Sequence, residues 1–168
     1  MRATKHSGGF SLIEVLIAIV LVGLAVASLM AANAALTKAN GVGTDLSTAE
    51  FLVEQIRELT ALLPVVEPGT PETGFDVFGP EVGETLATYD DLNDFDDKSF
   101  TPPINAMRIA LTDFAAFSQQ VTVQNVHKSN FEQVVADHDP DSFAVRVTVK
   151  VYLNSKEISS ESWLRTRY

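Results

Sequence analysis

The chain has 168 residues, and its 22 Asp and Glu outnumber 12 Lys and Arg to give a formal net charge of −10. Phosphate binding needs clustered Lys and Arg, so this acidic balance excludes nucleic acid as a general partner. Cysteine is absent, which removes disulfide bracing and thiol chemistry together.

Residues 1–9 form a short leader carrying Arg2 and Lys5. From Phe10 to Ala32 there are 23 residues whose only ionisable side chain is Glu14. That length can span a bilayer, which takes about 20 apolar residues. A carboxylate at that depth costs several kcal/mol unless it meets a cation, so Glu14 points to a function. Cleavage between Gly9 and Phe10 would create such a cation, the α-amino group of Phe10. Four residues separate it from Glu14, about 6 Å of helix rise, so the Phe10 amine of one subunit would reach Glu14 of a neighbour shifted by about one turn. Side-by-side assembly follows. No Lys or Arg occurs after Lys5 until Lys38, which places the N-terminus in the cytoplasm by the positive-inside rule and the bulk of the chain outside.

The run Gly9-Phe10-Ser11-Leu12-Ile13-Glu14-Val15-Leu16-Ile17-Ala18 resembles the class III signal of type IV prepilins and pseudopilins, in which Gly precedes Phe and Glu is the fifth residue of the mature chain. The resemblance implies cutting after Gly9 by a membrane-embedded prepilin peptidase, methylation of the Phe10 amine, and packing of the apolar helices into a filament core. The implied partners are other pilin or pseudopilin subunits, the peptidase, and the inner membrane with its assembly platform. The subunit would be an inner-membrane single-pass protein, then part of a periplasmic or cell-surface filament. Loss of the leader takes the net charge to −12. Two plainer readings compete. A secretory signal peptide would use Ala25-Val26-Ala27 as its cleavage site, but the apolar run is too long and holds Glu14. A simple anchor explains the length and leaves Glu14 and the Gly9-Phe10 junction without a role.

Beyond the apolar segment, residues 33–63 read as an amphipathic second half of the same helix. Leu46, Ala49, Leu52, Val53, Ile56, Leu59 and Leu63 recur at three- and four-residue steps, and Pro64 stops the helix. Gly41 and Gly43 weaken it, at about 1 kcal/mol each, so a bend or local melting is expected over 40–43. The alternative is a short loop between a membrane helix and a separate soluble one.

Residues 64–168 form a globular head. Its first part, 64–103, is punctuated by prolines at 68, 71, 80, 102 and 103 and glycines at 69, 74, 79 and 83, so an irregular segment is expected. It contains Asp90, Asp91, Asp94, Asp96 and Asp97, and a second acidic run, Asp137-His138-Asp139-Pro140-Asp141, follows later. Close-spaced oxygen ligands suit Ca²⁺, although neither run has the glycine and distal Glu of an EF-hand loop. The alternative is a solvated acidic surface. Asp90, Asp91, Asp94, Phe95, Pro102 and Pro103 also resemble a signature of minor pilins of the mannose-sensitive haemagglutinin pilus type, which favours a pilus over a secretion pseudopilus.

Residues 104–168 alternate as sheet. Phe143, Val145, Val147, Val149, Val151 and Leu153 point one way, and Arg146, Thr148, Lys150 and Tyr152 the other. Asn154-Ser155-Lys156 reads as a turn into a partner strand, Ile158 to Tyr168, with an earlier strand at Gln119 to Val126. Trp163 shares a face with Arg165 and Arg167, where it is either an exposed interface aromatic or, as expected, covered by the 65–103 segment. One apolar sheet face needs a cover, and the helix supplies it. The expected class is therefore α+β and pilin-like, a long N-terminal helix packed on an antiparallel sheet. Catalysis is not expected, because no Cys, no Gly-rich phosphate loop and only three His, one of them His6 in the leader, leave no nucleophile and base to pair. No cofactor is expected apart from Ca²⁺ at the acidic run. The implied function is a minor pilin-like subunit, with a minor pseudopilin of a type II secretion system, or a non-polymerising anchored binding domain, as alternatives.

Overall fold

The structure, a computed structural model, describes residues 9–65, 79–136 and 142–166. The leader residues 1–8, the 137–141 acidic run and Arg167 lie outside them. The chain divides into two compact units, residues 1–43 and 44–168.

Helix α1 runs from Leu12 to Thr60. Through Ala32 its only ionisable side chain is Glu14, and none of the helix up to Gly43 is buried. The local melting expected over 40–43 does not occur, since the helix continues through Gly41 and Gly43. Breaking a long helix would forfeit bonds on both sides and require a second costly nucleus, which outweighs two unfavourable propensities. The helix ends at Thr60 rather than Leu63. Pro64 explains this, because a proline ring in a helix collides with the carbonyl four residues back, here that of Thr60.

In the second unit, Ala49, Leu52, Val53, Ile56 and Leu59 bury one face of α1, as their spacing predicts. They meet a five-stranded antiparallel sheet of β1 (Lys98–Phe100), β2 (Phe117–His127), β3 (Asn130–Val134), β4 (Ala144–Leu153) and β5 (Lys156–Thr166). The order is β1-β2-β4-β5, and β3 also pairs with β2. Register puts Val121 opposite Val149 and Val123 opposite Val147, and Val147 opposite Trp163. These residues face the helix. Thr122, Thr148 and Ser162 line the opposite face. A two-residue turn, Asn154-Ser155 with φ of 49° and 67°, joins β4 to β5, the hairpin geometry that right-handed strand twist favours. Phe143 precedes β4 and is 36% exposed, so the apolar face begins at Val145. Between Phe100 and β2 the only pairing is an isolated bridge, Ile104 to Ala110. The sheet thus gains β1 from the segment expected to be irregular and takes nothing regular from 104–116.

Trp163 is half-buried and the helix supplies a cover for it, whereas residues 66–78 of the segment expected to cover it lie outside the described residues. The Arg57 guanidinium carbon lies 4.7 Å from its ring centroid, and Arg57 Nη2 also donates to Glu161 at 2.8 Å. Two further side chains join helix to sheet. Arg165 donates from Nη1 to the Thr60 carbonyl at 2.7 Å and from Nη2 to the Leu63 carbonyl at 2.9 Å, satisfying oxygens that the helix end leaves open. Gln119 is fully buried. Its Nε2 donates to the carbonyls of Leu52 and Ile104 at 2.8 and 3.2 Å, and its Oε1 accepts from the Ile104 N–H at 2.8 Å.

Candidate functional site

The N-terminal segment is built from a capped helix start. Ser11 stands at the N-cap, its Oγ accepting from the Glu14 N–H at 3.3 Å and its carbonyl from the same N–H at 3.1 Å. Glu14 falls at the third helical position, so Ser11 and Glu14 have the spacing of a capping box, and an acid in the first turn suits the positive end of the helix dipole. The S-x-x-E pattern was readable in the sequence and gives Glu14 a local role at the helix start. Every large apolar side chain from Phe10 to Met30 is at least 48% exposed. Such a surface is stable only against lipid or other apolar helices. The helix is long and apolar enough to cross a membrane.

The acidic run of the head is not a solvated surface. Asp91, Asn93 and Asp94 are fully buried together with Leu92 and Phe95, in and around the 3₁₀ turn Asn93–Phe95. Asp94 Oδ2 accepts from the N–H groups of Asp90 and Asp91 at 3.0 and 3.3 Å. Asp91 Oδ1 accepts from the Asp94 N–H at 3.1 Å, and its Oδ2 from Asn93 Nδ2 at 3.0 Å. Asn93 Oδ1 in turn accepts from the Gly79 N–H at 2.9 Å. Asp96 Oδ1 accepts from the Val123 N–H of β2 at 2.7 Å. Asp90 and Asp97 are exposed. Of the five aspartates only Asp94 belongs to a cluster of metal-ligating groups among the described residues, and its companions are Glu81 and Glu84. Burial, then the charge of Asp94, pushes the Asp91 carboxyl up to about 8. Burial also raises that of Asp94, with the charge of Glu84 adding to it. Arg108 ties the preceding loop in place, donating to the carbonyls of Leu86, Ala87 and Tyr89 at 3.0, 3.0 and 2.6 Å.

A family model for the prokaryotic N-terminal methylation motif matches residues 4–30. The chain carries the prepilin signature of type IV pilins and pseudopilins. No curated protein and no solved structure matches. The prepilin signature implies cleavage by prepilin peptidase and assembly with other pilin-type subunits, and it points to a structural subunit rather than an enzyme. The long helix on an antiparallel sheet is the pilin-like α+β architecture that the resemblance implies. Glu81, Glu84 and Gln119 escaped sequence reading. Nothing in the spacing of the glutamates links them to Asp94, and a glutamine at an inward strand position carries no sign of its partners.

Proposed function

We propose that the chain is a minor subunit of a type IV pilus-type filament, cut between Gly9 and Phe10, methylated at the Phe10 amine, and assembled through its N-terminal helix. The observation that carries this reading is Glu14, one carboxylate within an exposed apolar helix that begins at the prepilin signature. In lipid or in a filament core that carboxylate needs a cation, and the new amine of a neighbouring subunit is the one that processing creates. The head stays on the outer side of the inner membrane before assembly. The Asp90 to Phe95 resemblance supports a pilus. A minor pseudopilin of a type II secretion system shares the N-terminal chemistry and is the second reading.

Intact mass of membrane-extracted protein tests processing, with a methylated Phe10 start expected; a start at Ser28 would mean an ordinary signal peptide and defeat the proposal. Glu14→Ala should be processed yet missing from sheared filaments. Incorporation at wild-type levels would remove the intersubunit pair.

A further inference from the structure

We propose that Glu81, Glu84 and Asp94 form a calcium site that fixes the loop preceding β1. One carboxylate oxygen from each lies within 4.8 Å of the other two. Ligands on opposite sides of Ca²⁺, each at 2.3–2.6 Å, stand about 5 Å apart, so the three groups fit around one such ion. A turn at Glu81–Glu84, closed by the Glu84 N–H donating to the Glu81 carbonyl at 3.1 Å and passing through Gly83 at φ +101°, places both glutamates beside Asp94.

Proximity of acids alone would not suffice, but Asp94 adds a separate observation. It is fully buried. Its Oδ2 is satisfied by two N–H groups, whereas its Oδ1 is buried with no hydrogen-bond partner. An anionic oxygen left so is rare in a folded chain and costly. Among the described residues neither Glu84 nor Asp94 has an ion pair. A cation bound between the three carboxylates supplies the missing partner and cancels their repulsion. The donors are all oxygen, with no His or Cys, which selects a hard divalent ion. Calcium tolerates the irregular geometry of a loop, where magnesium demands a near-ideal octahedron. On acidification a proton can take the same place, since burial raises the Asp94 carboxyl. The proposal does not rest on the filament reading.

The test uses the full-length chain in detergent micelles, stripped with EDTA and returned to buffer at neutral pH. Tyr89 feels the charges of both Asp94 and Glu84, so Tb³⁺ in the cluster is excited through it. Saturable Tb³⁺ emission, displaced by CaCl₂ at one ion per chain, is expected. Calcium at ten times Kd should raise the unfolding midpoint of the head by about 3–6 °C. Glu81→Gln and Glu84→Gln should each weaken binding about tenfold or more while Trp163 fluorescence verifies folding. Both are partly exposed, so they tolerate change better than Asp94, whose Oδ2 holds the loop. Asp90→Asn and Asp97→Asn should leave binding unchanged. Absence of saturable binding by calorimetry overturns the site, as does binding that both Gln variants retain or that Asp90→Asn alone abolishes.

Discussion

Replacing Arg165 by alanine uncaps α1 where the helix meets the sheet. The Thr60 carbonyl then keeps one weak partner, the Leu63 N–H at 3.3 Å. Thr60 is fully buried, so water does not replace the guanidinium there. Leu63 is partly exposed and its carbonyl can be hydrated. A hydrogen bond from a charged donor contributes about 1.5–3 kcal/mol net, and a cation at a helix C-terminus about 0.3–1 kcal/mol more. One such bond is lost in full and the second is partly offset by water, so Arg165→Ala should destabilise the head by about 2–3 kcal/mol. Arg165→Lys keeps the charge but not the fork that reaches two carbonyls, and should recover about half. Urea unfolding of the full chain in micelles measures this. Trp163, the only tryptophan, reports on the helix–sheet seam, and far-ultraviolet circular dichroism guards against a merely local change in its emission. With a slope of about 2 kcal/mol per molar urea, the midpoint falls by about 1 M. An Arg165→Ala variant within about 0.5 kcal/mol of wild type would refute the capping argument.

Gln119→Leu removes the only partner the Ile104 N–H has outside the helix and sheet ladders and should cost about 1–3 kcal/mol in the same assay; Gln119→Glu should be worse at neutral pH, where it buries a charge, with the gap narrowing as the solution is acidified. In EDTA the head should lose stability as pH rises between about 4 and about 8. The folded Asp91 carboxyl is raised from 3.8 to about 8, so in that window the native state holds a proton that the unfolded chain has released, and the slope approaches 1.4 kcal/mol per pH unit. A flat profile by thermal unfolding would contradict the buried state of Asp91. Ser11→Ala should leave incorporation into filaments intact, since it removes only a helix cap; a loss matching that of Glu14→Ala would reassign Glu14 to capping.

What the sequence disclosed depended on how local the responsible physics was. Residues 145–153 alternate because each strand position faces either core or solvent, and the buried face of α1 repeats at helical steps for the same reason, so both could be read directly. The carboxylates from Asp90 to Asp97 could not. A run of acids looks the same whether water solvates it or backbone N–H groups do, and those donors come from the fold: Val123 on β2 for Asp96, the turn itself for Asp91 and Asp94. The contact of Trp163 with Arg57 was hidden in the same way, because it depends on where Arg57 sits on a helix more than one hundred residues away. The prepilin signature was legible because its chemistry lies within one short stretch, Gly9, Phe10 and Glu14.

The network that holds Asp91, Asn93, Asp94 and Asp96 performs in this head the fastening that a small extracytoplasmic domain commonly assigns to a disulfide. It has a different sensitivity. Thiol reagents and oxidoreductases find nothing to act upon, so the loop can form without an oxidising partner and withstand reductant afterwards. Its vulnerability lies in the titration of its buried carboxyls. Rising pH, rather than redox potential, is the condition in the surroundings to which this fastening responds.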